Sequence, residues 1–353
     1  MICHFAPAGQ GQIFLCRFSA LQGPKIDTKR RIPSYQLVAV TGHWYTLYMI
    51  DAPQVSVVIP TYNRAELLRL TLRSVLAQTF PAKEIVVVDD GSTDDTASVV
   101  NEIAEEGSPI LYLTGRHENR LGELRNRGVE ATSGEWIAFL DSDDLWQPNR
   151  LDAQIKALER VPDAGLAFCN VQRFSESGPV GPGPYLPMSA DYNGYILGDL
   201  LEEPVAVPSA LMVRREVFEQ VGGFADRPIN EDYELTLLVA ARYPASYVPD
   251  PLVLMRKHGD SRSRERNELA LLEYISIVER FLAVNPRLPV SVSKRGRRGL
   301  ANVHYKLVRL YLDTGDRAAA RRHLREQVKY RPWDRRAVSA YLHAMIPFTT
   351  GVA

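Results

Sequence analysis

Cysteine is scarce: the 353 residues contain three, at Cys3, Cys16 and Cys169. Their odd number and wide spacing exclude a disulfide framework and a zinc knuckle, and favour reducing surroundings. Net charge is absent as well, with 42 Lys and Arg against 42 Asp and Glu, so no global field points to nucleic acid. No apolar run approaches the ~18–20 residues that cross a bilayer. The opening MICHFAPAGQGQIFLCRF lacks a basic leader, and its apolar run is too short for a signal core. These features predict a cytoplasmic protein, free or at the inner face of a membrane. Phosphate loops of the form GxxxxGK[ST], a GxGxxG after the first strand, HExxH and GxSxG are all missing. A phosphate-bearing ligand must then be held by other means.

What is present describes a globular chain, 45% hydrophobic and 24% charged, long enough for two domains or one large domain with additions. Charge is unevenly spread: from Ser291 onward there are 14 Lys and Arg against 4 Asp and Glu. The plain reading is a solvated basic face. The sharper one is peripheral contact with anionic lipid headgroups, worth roughly 1 kcal/mol per basic residue at the surface. Residues 1–50 are expected to be weakly structured, an overlong translation start, against the alternative of a strand or two through Trp44–Ile50 packed on the main domain.

VSVVIP at Val55–Pro60 is a continuous β-branched run closed by proline, the pattern of a strand covered on both faces. Leu68, Leu72, Val75 and Leu76 then recur at helical spacing. A second strand, EIVVVDD, and a helix with Val99, Val100 and Ile103 on one side follow, then a short strand, a helix and the strand EWIAFL. This rhythm predicts an α/β, mostly parallel, doubly wound sheet. Ser175–Tyr195 is rich in Gly and Pro and is expected to be a long loop near a site. Near the end, two helices are predicted around Thr314–Gly315, with Leu300, Leu307, Leu310, Leu324 and Val328 as their seam, and a third over Ala337–Ile346.

Two acidic clusters fall at strand C-terminal ends: Asp89–Asp90, and Asp141, Asp143 and Asp144 in FLDSDD. Open α/β sheets bind ligands outside those ends, so clusters over 50 residues apart can face one cleft. Adjacent carboxylates repel and need a positive partner. Mg²⁺ or Mn²⁺, hard cations that join one or two carboxylates to ligand phosphates, are the expected cofactors. The rival reading is a metal-free acidic surface turn.

The stretches VSVVIPTYNRAELLRLTLRSVLAQTF, EIVVVDDGSTDDT and NRLGELRNRGVEATSGEWIAFLDSDDLWQPNRL, followed by LMVRREVFEQVGGFAD, NEDYELTLLVA and MRKHGDSRS, resemble the inverting family 2 glycosyltransferases with the A-type nucleotide-sugar fold. The resemblance spans approximately Pro53 to Ser263. It implies transfer of a sugar from a nucleotide-diphosphate sugar to a hydroxyl of a glycan or lipid-linked acceptor. Pro60, Thr61, Tyr62 and Asn63 match the segment around the nucleotide base, and Asp90 the acid that pairs with the base. Arg125 and Asn126 match the pair beside the nucleotide, with bracing of Asp90 or Asp143 as the other role for Arg125. Asp144 is expected as the leading metal ligand, Asp143 next and on the donor sugar, and His258 near the diphosphate or metal. Asp232 matches the catalytic base. A helix start would lower its basicity, so burial or Glu231 must compensate. Glu231 and Trp146 are placed on the acceptor side, with core packing as the equal alternative for Trp146. One departure is the charged, bulky Asn119–Glu123 ahead of the Arg-Asn pair.

The expected organisation is a poorly defined extension over 1–50, a catalytic domain over 51–265 (nucleotide-sugar half 51–145, acceptor half 146–265), and a basic helical extension over 266–353. Two other classes compete: a metal-dependent nucleotidyltransferase, and a non-catalytic nucleotide-sugar or glycan-complex binding module.

Overall fold

The computed structural model describes residues 53–257 and 264–332, together with the backbone of four strands before residue 51. His258 and the helix expected over 337–346 lie outside the described residues. The chain divides into two compact units, Met1–Gln54 and Val55–Ala353.

In the first unit, β1 (Cys3–Ala6), β2 (Gln12–Arg17), β3 (Tyr35–Val40) and β4 (His43–Ile50) form an antiparallel sheet in the order β1-β2-β4-β3. The segment expected to be weakly structured thus carries four strands, whose pairing is with one another.

The second unit is built on β5 (Val55–Thr61), α1 (Ala65–Leu76), β6 (Glu84–Asp89), α2 (Thr96–Glu105), β7 (Ile110–Thr114), α3 (Leu121–Glu130) and β8 (Trp136–Phe139). These four strands are parallel, in the order β7-β6-β5-β8. Then come β9 (Leu145–Trp146), α4 (Arg150–Leu158), β10 (Leu166–Ser175), β11 (Gly178–Pro179), α5 (Leu197–Glu202), a 3₁₀ turn (Pro208–Ala210) and β12 (Leu211–Arg214). After these follow α6 (Arg215–Val221), α7 (Glu231–Ala240) and β13 (Ala245–Arg256). β12 inserts antiparallel between β8 and β10, and β10 runs parallel to β13. The longer pairings are therefore parallel and the short ones antiparallel.

The alternation of β5 explains the two layers. Val55, Val57 and Ile59 join a core with Leu68 and Leu72 of α1 and Val99 and Ile103 of α2. Val58 faces the other way, with Leu124 and Val129 of α3. Successive strand side chains point to opposite faces, so helices cover both. α3 lies unusually close because Gly128 faces β5: a Cβ there would sit 2.4 Å from Val58 Cγ1.

The remaining helices are α8 (Arg264–Val284), α9 (Val290–Asp313) and α10 (Arg317–Tyr330). The α9–α10 turn falls at the expected Thr314–Gly315, but α9 begins ten residues earlier than the expected Leu300. Leu300, Leu307 and Leu324 are buried and Leu310 partly so, whereas Val328 is exposed. The buried stripe of α10 runs through Ala320, Leu324 and Gln327 instead, one position round from the apolar choice. These helices share one core with Val58 and Phe139 of the sheet, so they are built into the same body as the sheet. Arg321, Arg322 and Arg325 are exposed. Among the described residues, no helix is long and apolar enough to cross a membrane.

Candidate active site

β5, β6 and β8 end on the same edge of the sheet, and the loops beyond them enclose a cleft of about 560 Å³. It is lined by Pro60, Thr61 and Tyr62 at the end of β5, Asp90 after β6, Asp141–Asp144 after β8, and Asn230–Asp232 at the start of α7. The two acidic clusters do share one crevice.

Asp90 is nearly fully buried yet well satisfied. Its carboxylate accepts the backbone N–H groups of Glu118 and Asn119, each at 2.9 Å, and lies 2.7 Å from His117 Nδ1. The His117 ring stacks on Tyr62 at 3.9 Å and 11°. Thr61 has a buried hydroxyl with no partner among the described residues. This corner combines a carboxylate, an aromatic face and an unsatisfied hydroxyl, a set suited to a planar polar ring.

Other expected residues do structural work. Asn63 accepts from the Thr93 N–H at 2.7 Å, tying the β5 and β6 loops together. Asn126 exchanges two hydrogen bonds with the backbone of Phe224 and faces away from the cleft. Trp146 is buried, its indole N–H donating to Ser209 O at 2.9 Å and its ring covered by Arg150 at 3.9 Å. With both its polar edge and one face engaged inside the core, it offers no surface to an acceptor. Asp89 accepts from Ser92 and Tyr112 and shapes the β6 loop.

Arg125, 1% exposed at its side chain, pairs with Asp141 Oδ1 at 2.7 Å and with Glu231. It therefore braces neither Asp90 nor Asp143. Instead it joins the acidic loop to the start of α7, and that engages Glu231 on the inside of the site.

The acidic turn also departs from expectation. Asp144 is 4% exposed; it accepts from Ser209 Oγ at 2.5 Å and from the Arg256 N–H at 2.8 Å. Burial, then the charges of Asp141 and Asp143, push its carboxyl well above the usual range. Both oxygens of its carboxyl are thus engaged by donors of the protein. Asp141 and Asp143, with side chains 34% and 14% exposed, present the more open carboxylates. Asp143 pairs with Arg64 at 2.8 Å.

Among the described residues, no three His, Cys, Asp or Glu side chains converge tightly enough to enclose a metal by themselves. The crowding of Asp141, Asp143 and Asp144 nevertheless marks a place where positive charge is wanted. Hard oxygen donors on Asp141 and Asp143 fit Mg²⁺ or Mn²⁺ completed by ligand phosphate and water.

Asp232, half-buried at the first turn of α7, lines the same cleft. Burial and the neighbouring Glu231 raise its carboxyl to about 7, outweighing the opposing pull of Arg125. Both compensations that the sequence demanded of a base at a helix start are in place.

Arg64, His117 and Ser209 were not legible as site residues. Only Arg64 had a local signal, its position in the TYNR segment after the first strand.

Residues 56–222 match the family described as Glycosyl transferase family 2. An uncharacterized glycosyltransferase of Rickettsia bellii is 33% identical over 182 residues, covering 51% of this chain and 25% of the relative. The putative teichuronic acid biosynthesis glycosyltransferase TuaG of Bacillus subtilis is 31% identical over 173 residues, 48% of this chain and 65% of TuaG. The chain spans from a quarter to about half the length of the first three curated relatives, at 25%, 53% and 36%. Among solved structures, S. aureus TarS 1-349 with UDP-GlcNAc superposes with a TM-score of 0.53 at 17% identity, over 79% of this chain and 92% of that one. The mannosyltransferase PcManGT of Pyrobaculum calidifontis, with GDP-Man and Mn²⁺, gives 0.55 at 20% identity, over 83% and 79%. Over residues 56–222 the chain is thus similar to glycosyltransferase family 2, and the sheet topology is that of the A-type fold expected above.

Proposed function

We propose that the chain transfers a sugar from a nucleoside-diphosphate sugar to a hydroxyl acceptor with inversion at the anomeric carbon, Asp232 being the base. The observation that carries this reading is the Asp232 carboxyl, raised to about 7 and lining the cleft that Asp90 and the acidic turn also line. A base whose pKa lies near the working pH combines useful ionisation with useful proton affinity.

In the transfer, Asp232 takes the acceptor proton as the acceptor oxygen bonds to the anomeric carbon. The bond from that carbon to the diphosphate oxygen breaks on the opposite face, and its electron pair leaves with the nucleoside diphosphate. Asp90, Thr61 and Tyr62 hold the base. Asp141 and Asp143 would hold Mg²⁺ or Mn²⁺, which when bound supplies Lewis-acid neutralisation of the leaving diphosphate. Arg125 keeps the acidic turn and α7 at a fixed separation, which sets the distance between donor and base. The nucleotide sugars bound by TarS and PcManGT support this donor class, and the teichuronic acid biosynthesis for which TuaG is named supports a glycan acceptor, free or lipid-linked.

The test is Asp232→Asn. UDP or GDP binding should persist while sugar transfer drops by about 10²–10⁴, the usual worth of general base catalysis. In the wild-type protein, kcat should rise with pH through about 7 and then level, because the base works ionised, and the variant should lose that limb. Unchanged transfer in Asp232→Asn would remove the base assignment. Release of pyrophosphate rather than nucleoside diphosphate would replace the reaction class.

A further inference from the structure

Ser209 stands in the 3₁₀ turn ahead of β12, is 1% exposed, and lies 68 residues along the chain from Asp141. Its hydroxyl performs two tasks at once. It accepts the Asp141 N–H at 3.1 Å and donates to Asp144 Oδ2 at 2.5 Å. A hydroxyl is one of the few side-chain groups able to accept and donate through one atom at this size.

The turn carrying Ser209 is itself fixed by a buried row of side chains. Three consecutive carbonyls are captured: Ser209 O by Trp146 Nε1 at 2.9 Å, Ala210 O by Gln154 Nε2 at 3.1 Å, and Leu211 O by Arg150 Nη2 at 3.3 Å. All three donors are buried. The acidic turn is held from two further sides, by the Thr71 hydroxyl on Asp144 O at 2.9 Å and the Arg256 N–H on Asp144 Oδ1 at 2.8 Å. With its carboxylate held by Ser209 and Arg256, Asp144 acts as an anchor, and the two acids ahead of it, Asp141 and Asp143, line the cleft.

Resting on the function proposed above, we propose that Ser209 is a positioning residue of the donor site: it locks the 141–144 turn so that Asp141 and Asp143 face the cleft, with Trp146, Gln154 and Arg150 as its buried support. The tryptophan after the acidic motif then serves the site from behind. Removing the hydroxyl orphans a backbone N–H and a carboxylate oxygen together, and the turn can relieve both only by moving.

The experiment is a Mn²⁺ titration of the full chain, followed by electron paramagnetic resonance with UDP and with GDP present. Ser209→Ala should weaken Mn²⁺ binding by roughly 10-fold or more, the usual loss when an outer partner of a ligating group is removed. Ser209→Thr, which keeps the hydroxyl, should restore most of that affinity, and Trp146→Phe should fall between. A purely structural role would lower the melting temperature of the variants without separating Ala from Thr in metal affinity. Wild-type Mn²⁺ affinity in a folded Ser209→Ala protein overturns the assignment and leaves the proposed function standing. Failure of the wild-type chain to bind Mn²⁺ with either nucleotide overturns the function, and this assignment with it. Should Ser209→Ala not fold, Ser209→Cys replaces it, and equal affinity in Cys and Thr variants is the overturning result.

Discussion

Two arginines, Arg125 and Arg150, are among the largest fully buried side chains of the molecule, and they are treated in opposite ways. Burial lowers the pKa of each, but around Arg125 the charges of Asp141 and Glu231 outweigh it and the guanidinium is held more firmly charged. Arg150 has no carboxylate within ion-pair distance among the described residues. It rests on the Trp146 ring and the Leu211 carbonyl, and burial pushes it down to about 10. The first arginine belongs to the wall of the cleft, where acids must be packed together and therefore need a counter-charge. The second stands behind that wall, where dipoles and a π face suffice because nothing acidic has to be neutralised.

This contrast can be broken most severely at Arg125. Arg125→Met leaves Asp141 and Glu231 crowded without their cation, and unfolding free energy in urea should fall by about 3–5 kcal/mol, with transfer abolished. Glu231→Gln acts more selectively. It can keep a hydrogen bond to Arg125 but removes the negative neighbour that raises Asp232. The rising limb of kcat against pH should move to lower pH by about one unit, and a limb that stays in place would mean Glu231 does not tune the base. Arg150→Met is expected to have the smallest effect. No carboxylate is stranded, so stability should stay within about 1 kcal/mol, since a well-packed apolar replacement of a buried ion is often neutral. A loss as large as that at Arg125 would dissolve the distinction between the two sites.

The parallel half of the fold was readable because β5, β6 and β8 are covered on both faces and so appear as unbroken apolar runs bounded by turn residues. Asp90 and Asp143 stood out for a related reason, each standing just past a strand, whereas Asp232, at a helix start that a plain cap would also explain, was singled out by the family resemblance alone. His117 and Ser209 were not, since each owes its place to a partner far along the chain, Asp90 27 residues away and Asp144 65 away. Trp146 and Val328 were misplaced because size and apolarity say only that a side chain seeks cover, not which cover it finds. The buried Gln327 makes the same point from the polar side.

The close approach of α9 to α5 has a further consequence. Gly299 leaves room for a Cβ only 2.3 Å from the Leu201 carbonyl oxygen, and Tyr274 of α8 reaches the same carbonyl at 2.7 Å. The family match and the folded body therefore have different borders: the match stops at 222, while the shared core runs on through the last described turns of α10. Anyone trimming this protein to the matched segment would cut through the middle of a shared interior, and the helices past residue 264 belong in every expression clone.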